Sequence, residues 1–283
     1  MKILVTGSKG QLGQDIQKIC SNYSIDFIAA GSKELDITDL SATRQLISSH
    51  NIDVIINCAA YNAVDQAETE WKKAFTVNGL GVRNLAIAAN ETGSLLVNFS
   101  SDYVFDGSSR RPYTIVDSPR PISRYGESKL LGEQYIQNIA NRFILIRTSW
   151  VFGAGNENFP KKILSWSKEQ NELKIVTDQI ASPTYTLDLA NATLDLVQKE
   201  SYGIYHITNS NYCSRYEWAE TILKQTGWEG TLIPATSADF CIPAQRPAFS
   251  VLDNFGLYEV LGYTLPDWKD ATRRFLNETG MIS

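Results

Sequence analysis

Short apolar runs alternate with longer amphipathic segments along the first half of the chain. The runs are almost uniformly apolar, which is typical of strands buried on both faces of a parallel sheet. We predict strands at residues 2–6, 26–30, 54–57, 95–100 and 143–148. The segments between them place apolar residues at helical spacing, which predicts helices at residues 11–20, 41–49, 71–90 and 125–139. This alternation predicts a doubly wound α/β fold, a parallel sheet with helices on both faces.

The pattern changes after Trp150. Loops become longer and richer in Asn, Gly, Pro and Ser, and helical spacing remains at residues 161–169, 186–199, 216–226 and 268–279. One further apolar run, residues 202–207, predicts a strand added to the main sheet. Because the rest shows no regular strand–helix alternation, we predict a smaller C-terminal lobe over the carboxyl edge of the sheet. Open α/β sheets bind ligands at that edge.

Composition and charge exclude several classes of protein. Of the 283 residues, 43% are hydrophobic and 20% are charged, which argues against a disordered or fibrous chain. The formal net charge of −5 argues against a broad nucleic-acid surface. No apolar run approaches the ~20 residues of a membrane helix, and the first residues carry no signal-peptide pattern. We therefore expect a cytoplasmic protein that binds neither nucleic acid nor membrane.

The four cysteines, at positions 20, 58, 213 and 241, lie far apart, and the chain has only two histidines. Neither a structural zinc site nor a disulfide framework fits this spacing, so reduced thiols are expected. The acidic residues at positions 65, 68 and 70 are better explained by a solvated helix start than by a metal site. We predict no metal.

A glycine-rich turn follows the first predicted strand directly. Gly7, Gly10 and Gly13, with Gln11 and Leu12 among them, lead into the first predicted helix. Glycines at this spacing permit a tight turn, close approach of the backbone to a pyrophosphate, and close packing of helix on strand. Free N–H groups at the helix N-terminus then attract the phosphates. We therefore predict a dinucleotide-binding (Rossmann) domain at residues 1–150, to which residues 186–207 return, and a mainly substrate-binding lobe at residues 151–283.

The end of the second predicted strand bears on the choice of cofactor. An NAD-selective site usually has an acidic side chain there, for the ribose 2′-hydroxyl. This chain has Ser32 and Lys33 instead, and either can contact a 2′-phosphate. We therefore predict NADPH, with NADH as a cofactor that the site can also accept, although a solvated loop lysine explains Lys33 equally well. Further cofactor contacts are predicted after the second and third strands, at Asp36, Ile37, Ala59, Ala60 and Tyr61.

Tyr125 and Lys129 are four positions apart near the start of a predicted helix, so both side chains lie on one face. Ser101 follows the fourth predicted strand, at the edge where a nicotinamide is expected. Reduction of a ketone needs an acid that protonates the developing alkoxide and donors that stabilise it. We predict Tyr125 as the acid and Ser101 as a donor to the substrate oxygen. Lys129 is predicted to lower the pKa of Tyr125 and to hold the nicotinamide ribose. The alternative is a packed tyrosine beside a solvated lysine.

Six segments taken together resemble the extended short-chain dehydrogenases/reductases, and within them the dTDP-4-dehydrorhamnose reductase family. They are residues 7–13, 57–68, 100–105, 125–129, 147–153 and 246–247. The resemblance implies Ser101, Tyr125 and Lys129 as the catalytic residues. It also implies NADPH-dependent reduction of the C4 ketone of dTDP-4-dehydro-L-rhamnose to dTDP-L-rhamnose, the last step in making this polysaccharide precursor. The family commonly has threonine at the positions of Ser101 and Asn62. Serine keeps the hydroxyl donor, whereas Asn62 bears on the fit of the substrate.

Substrate contacts are expected around the same strand end. The resemblance places Asp102 and Trp150 near the sugar, and we add Ser101, Tyr103 and Arg246 to the predicted substrate-binding residues. Arg246 would clamp a diphosphate through paired donors. A core tryptophan at position 150 and a surface salt bridge at Arg246 remain alternatives.

Other functions on the same fold stay open at this point. A dehydratase would need an Asp-Glu pair after the strand-end hydroxyl, whereas Asp102 is followed here by Tyr103. An epimerase would retain NAD tightly. A third possibility is a non-catalytic regulatory subunit that keeps the nucleotide site, as the β regulatory subunit of methionine adenosyltransferase does. The expected partner is a small nucleotide sugar, bound by a monomer or a homodimer.

Overall fold

The structure is a computed structural model that describes residues 1–282. Its strands are β1 (Lys2–Thr6), β2 (Asp26–Ala30), β3 (Val54–Asn57), β4 (Leu95–Ser101), β5 (Phe143–Thr148), β6 (Val151–Phe152), β7 (Glu172–Val176), β8 (Ile180–Ala181), β9 (Thr184–Tyr185), β10 (Gly203–His206), β11 (Cys213–Ser214) and β12 (Thr231–Ala235). Its α-helices are α1 (Gln11–Asn22), α2 (Leu40–Ser49), α3 (Val64–Ala67), α4 (Trp71–Phe75), α5 (Val82–Thr92), α6 (Arg124–Ile139), α7 (Phe159–Glu169), α8 (Thr186–Gln198), α9 (Arg215–Gln225), α10 (Leu257–Leu261) and α11 (Trp268–Glu278).

The main sheet has six parallel strands in the order β10-β5-β4-β3-β1-β2. From β1 the chain first adds β2 on one side, and then adds β3, β4 and β5 in turn on the other side. The strand order therefore reverses between β1 and β3. A crevice for a ligand is expected outside the carboxyl ends of the strands at such a point.

Helices cover both faces of the main sheet. Ile3 and Val5 of β1 pack into a core with α1, α8 and α10, whereas Leu4 faces a second core with α2, α5 and α6. This alternation follows from the two-residue period of a strand. The predicted doubly wound α/β fold is confirmed. No helix within residues 1–282 is both long enough and apolar enough to span a membrane.

The helix predicted at residues 71–90 is present, but it is interrupted by a π-helical stretch that the sequence did not predict. The segment consists of α4, a π-helical stretch at Thr76–Gly81, and α5. Two glycines of the π-helical stretch pack closely on neighbouring side chains. A Cβ on Gly79 would lie 2.6 Å from Leu131, and one on Gly81 would lie 2.8 Å from Ile37. The π-helix also holds Asn78, which is buried. A π-helical turn of this kind is frequent near functional sites.

A third core lies in the C-terminal half, around Trp218 and Phe275, with α7, α9 and α11 packed on it. The parallel pair formed by β7 and β12 also belongs to it, and the sequence did not predict these strands. Residues 186–207 lie with the main sheet instead, because α8 packs on α1 and β10 pairs with β5. The assignment of residues 1–150 to dinucleotide binding and of residues 151–283 mainly to substrate binding remains a prediction. Ser283, the last residue of the predicted lobe, is outside the described residues.

Candidate active site

A cavity of about 310 Å³ opens at the carboxyl ends of the central strands. This volume is at the lower end of the range for small-molecule sites. The loops after β1, β3, β4 and β5 contribute to its wall, as does the first turn of α6. The predicted site residues that line it are Gly10, Gln11, Leu12, Gly13, Ala59, Ala60, Ser101, Asp102, Tyr125, Lys129 and Trp150.

The glycine turn is shaped for close backbone approach. Gly7 has φ +59°, and a Cβ there would lie 2.4 Å from the backbone nitrogen of Ala59. A Cβ on Gly13 would lie 2.6 Å from the carbonyl oxygen of Gly7. Gly10 caps α1 without a side chain, which leaves the N–H groups of the first turn without a side-chain acceptor. This arrangement fits the pyrophosphate of a dinucleotide.

Gln11 ties the glycine turn to the loop after β6. Its Oε1 atom accepts hydrogen bonds from the backbone N–H of Gly153 at 2.9 Å and from Nδ2 of Asn158 at 2.8 Å. The Gln11 side chain is therefore already engaged within the protein. These bonds engage only Oε1, so a cofactor contact of Gln11 through its backbone or through Nε2 remains a prediction.

The remaining predicted cofactor contacts do not line the cavity. Ser32 and Lys33 are exposed beyond the end of β2. Asp36 accepts hydrogen bonds from the backbone and hydroxyl of Thr38. Ile37 is 4% exposed and packs in the core. Tyr61 lies on the loop after β3, and these five contacts stay predictions.

The premise that no carboxylate lies at the end of β2 is wrong. Glu34 folds back onto the strand end, where its Oε2 atom accepts a hydrogen bond from the N–H of Gly31 at 2.9 Å. Its other oxygen lies 3.5 Å from Nζ of Lys9, in the glycine turn. The sequence did not predict this contact, because Glu34 is three residues after Gly31 and reaches it only when the loop folds back. Lys9 and Glu34 thus lie together at the strand end, where the 2′-substituent of the cofactor ribose is expected.

Tyr125 occupies the first turn of α6, which begins after the N-cap Ser123. Its hydroxyl donates to Oδ1 of Asn62 at 3.4 Å. Burial raises the pKa of Tyr125 far above its usual value, and the hydroxyl of Ser101 partly opposes this. The phenol therefore keeps its proton at neutral pH.

Lys129 lies one turn further along α6, with Nζ donating to the backbone oxygen of Phe99 at 3.1 Å. Burial lowers its pKa to about 8, and the carboxylate of Glu133 opposes this. The Nζ atom is 6.0 Å from the ring centre of Tyr125. Burial sets the direction of the Tyr125 pKa in this arrangement, and the ammonium group donates to a carbonyl, so the lowering of that pKa by Lys129 remains a prediction.

Ser101 and Asp102 form a hydrogen-bonded pair at the end of β4. The hydroxyl of Ser101 donates to Oδ1 of Asp102 at 3.0 Å and accepts from the N–H of Tyr103 at 3.1 Å. Ser250 donates to Oδ2 of the same carboxylate at 2.6 Å. Burial raises the pKa of Asp102 to about 6, against these hydrogen bonds. Donation by Ser101 to a substrate thus requires its hydroxyl to turn away from Asp102.

A buried ion pair under the site was not predicted. Glu133 is 0% exposed and accepts hydrogen bonds from Nε and Nη2 of Arg147 at 3.0 and 2.7 Å. Its Oε1 atom also accepts from the hydroxyl of Ser100 at 2.5 Å. The sequence held a signal for it, because Glu133 is four residues after Lys129 and therefore lies on the same helix face.

Asn78 holds the loop after β3 rather than a strand. Its Oδ1 atom accepts from the N–H of Tyr61 at 2.8 Å, and its Nδ2 atom donates to the carbonyl of Tyr61 at 3.0 Å. The same Nδ2 atom donates to the hydroxyl of Ser128 in α6 at 2.9 Å. Asn78 joins the loop that carries Ala59 and Ala60 to the helix that carries Tyr125.

Trp150 lines the cavity in a strained conformation, with φ +45°. A bulky residue with positive φ is uncommon, and such strain concentrates at functional sites. The indole of Trp150 stacks on that of Trp218, with 5.8 Å between the ring centres. The guanidinium of Arg215 also lies over the Trp150 ring. Trp150 thus belongs both to the C-terminal core and to the cavity wall.

Arg246 forms the salt bridge that was its alternative interpretation. Its Nη1 and Nη2 atoms donate to the two carboxylate oxygens of Asp65, at 3.0 and 2.8 Å. The guanidinium is 20% exposed, so the pair is partly buried. Contact of Arg246 and of Tyr103 with a substrate remains a prediction.

The hydroxyl of Thr148 is buried and has no hydrogen-bond partner among residues 1–282. Thr148 pairs in register with Ser101 on β4 and lines the same cavity. Buried polar groups in proteins are generally paired. A ligand with a polar group at this point would satisfy the hydroxyl.

Comparison with known proteins is consistent with this arrangement. Residues 1–281 match the family described as RmlD substrate binding domain. The spore coat polysaccharide biosynthesis protein SpsK of Bacillus subtilis is 38% identical over 277 residues, which cover 98% of this chain and 97% of that protein. A dTDP-4-dehydrorhamnose reductase of Burkholderia thailandensis is 35% identical, with 96% of each chain covered.

Solved structures give the same result. The crystal structure of dTDP-4-dehydrorhamnose reductase from Bacillus anthracis, in complex with NADP, superimposes with a TM-score of 0.95. The two sequences are 36% identical, and the match covers 98% of this chain and 99% of that one. The chain therefore belongs to the RmlD substrate binding domain family, that of the dTDP-4-dehydrorhamnose reductases.

Proposed function

We propose that the chain catalyses the NADPH-dependent reduction of the C4 ketone of dTDP-4-dehydro-L-rhamnose to dTDP-L-rhamnose. One observation carries this proposal: the hydroxyls of Tyr125 and Ser101 and the amine of Lys129 line a single cavity with the N-terminus of α1. An acid, a carbonyl donor and a dinucleotide cradle at one place are what ketone reduction requires. In this proposal the partner is a small nucleotide sugar in the cytoplasm.

The glycine turn at residues 7–13 would hold the pyrophosphate of the cofactor through backbone N–H groups. Lys129 would hold the nicotinamide ribose, and Ala59 and Ala60 would lie along the middle of the dinucleotide. When bound, NADPH supplies the hydride that reduces the carbonyl carbon. The choice of NADPH is supported by the NADP complex of the Bacillus anthracis relative.

The proton is the contribution of the chain itself. Tyr125 keeps its proton because burial raises its pKa, and a protonated phenol can donate to the developing alkoxide. Ser101 would polarise the carbonyl after its hydroxyl turns from Asp102. Lys129 carries its charge below about pH 8 and can stabilise the phenolate left on Tyr125.

The test follows NADPH oxidation at 340 nm by the purified protein, supplied with dTDP-4-keto-6-deoxyglucose and a 3,5-epimerase. We expect turnover that is lost, by about 100-fold or more, in Tyr125→Phe, because general acid catalysis contributes at least that much. Tyr23→Phe is the matched control, since Tyr23 is 69% exposed and far from the cavity wall. NADPH binding without oxidation in the wild type would contradict the proposal.

A further inference from the structure

Arg215, the first residue of α9, is held between aromatic rings. Its guanidinium carbon lies 3.6 Å from the ring centre of Trp150, 4.7 Å from that of Phe159 and 5.6 Å from that of Trp218. A guanidinium at such distances is attracted by the faces of the rings. The stack therefore fixes the position of the cation before any ligand arrives.

The guanidinium of Arg215 has no hydrogen-bond acceptor and no carboxylate partner within residues 1–282. Arg147, Arg246 and Arg274, by contrast, each bind a carboxylate through two nitrogen atoms. Burial lowers the pKa of Arg215 to about 10, so it still carries its charge at neutral pH. A partly buried cation whose N–H groups lack acceptors is suited to an anionic ligand.

The place of Arg215 relates this cation to the candidate active site. The indole beneath it, that of Trp150, lines the catalytic cavity. The carboxylate of Asp102 acts electrostatically on Arg215, so the end of β4 lies within electrostatic range of the guanidinium. Arg215 packs on aromatic rings of the C-terminal core, whereas the glycine turn that suits the cofactor pyrophosphate follows the first strand of the main sheet. The anion it meets is therefore expected from the substrate.

We propose that Arg215 binds the diphosphate of the nucleotide-sugar substrate, an inference that rests on the proposed function. The planar fork of a guanidinium can donate two parallel hydrogen bonds to a phosphate, which a lysine cannot reproduce. The charge of Arg246 is neutralised by Asp65. Of these two arginines, Arg215 is therefore the one that is free to bind the charge of the ligand. The residue thereby sets the distance between the diphosphate and Trp150.

The experiment measures the dissociation constants of dTDP, thymidine and NADPH for the purified full-length protein by calorimetry. Arg215→Met keeps an unbranched side chain over Trp150 and removes the charge, and Arg215→Lys keeps the charge without the fork. Arg83→Met is the matched control, because Arg83 also lies over one aromatic ring, that of Tyr135, but on α5.

We expect Arg215→Met to weaken dTDP binding roughly 10- to 100-fold, as loss of charge-assisted hydrogen bonds does. Thymidine and NADPH should bind as in the wild type, which also shows that the variant is folded. The dTDP affinity of Arg215→Lys should lie between those of the wild type and Arg215→Met. Arg83→Met should bind dTDP as the wild type does. Equal affinity of wild type and Arg215→Met for dTDP would overturn the role of Arg215. Failure of the wild type to bind dTDP at all would overturn the proposed function itself.

Discussion

Replacing Glu133 by Gln should destabilise the protein strongly, although the change is nearly isosteric. Glu133 is 0% exposed and its partner Arg147 is 3% exposed. The substitution removes the negative charge and puts an amide donor against a guanidinium, while Arg147 stays buried and charged. Loss of one partner of a buried ion pair costs about 3–5 kcal/mol in the free energy of unfolding. The hydroxyl of Ser100 also loses a charged acceptor.

The assay is urea unfolding of wild type and variants, followed by circular dichroism. Glu91→Gln is the matched control, because Glu91 also accepts two hydrogen bonds from an arginine, Arg44, but both side chains are about half exposed. An exposed pair contributes about 0–1 kcal/mol. If Glu133→Gln cost no more than Glu91→Gln, the argument from burial would be refuted. The double variant Glu133→Leu/Arg147→Met should be more stable than Glu133→Gln, because the guanidinium that would stay buried without its carboxylate is removed as well.

The same substitution should change the chemistry of Lys129. The carboxylate of Glu133 supports the charge of Lys129, whose pKa burial has lowered to about 8. Without that carboxylate the pKa falls further, so the lysine loses its charge at lower pH. The alkaline limb of the pH profile of kcat/KM should therefore move to lower pH in Glu133→Gln. An unchanged limb in a folded variant would show that Glu133 does not sustain this charge.

Other predictions concern the site directly. In the wild type, kcat/KM should fall as pH rises through about 8, because Lys129 loses its proton there while the phenol retains its own; a flat profile up to pH 10 would contradict this. Gly13→Ala should cost about 1–3 kcal/mol in urea unfolding and weaken NADPH binding, since its Cβ would lie 2.6 Å from the oxygen of Gly7. Asn78→Ala leaves the backbone of Tyr61 without two hydrogen bonds, so we expect a loss of about 1–3 kcal/mol and a higher KM for NADPH, and normal values of both would refute the positioning role.

The sequence predicted those elements whose signal is local. The strands at residues 2–6, 54–57 and 143–148 agree with the structure because each is buried on both faces, which requires an unbroken apolar run in the sequence. The strand at residues 26–30 also agrees, although it lies at the edge of the sheet and is partly exposed. The parallel pair of β7 and β12 escaped prediction for the opposite reason. Both strands are partly exposed, and residues more than fifty positions apart must meet to form the pair.

The site divides in the same way. Tyr125 and Lys129 are predictable, because one helix turn separates them. Glu34 beside Lys9, Arg215 over Trp150 and the π-helical turn at Thr76–Gly81 depend on packing between distant segments. Arg215 in particular is an ordinary first residue of an amphipathic helix when only its neighbours in sequence are considered.

The carboxylate of Asp102 has a consequence for the exchange of segments between relatives. One oxygen serves Ser101 on the main sheet, and the other serves Ser250, whose backbone N–H bonds to Ile180 in the C-terminal half. A chimera that imports residues around position 250 from another protein therefore also replaces a hydrogen-bond partner of Asp102, the carboxylate that binds the predicted catalytic residue Ser101. With alanine there, the pKa of Asp102 rises above about 6, and the pH–rate profile of the chimera would change although every catalytic residue had been retained. The proton chemistry of the Ser101–Asp102 pair thus depends on a residue that lies 148 positions after Asp102 in the chain.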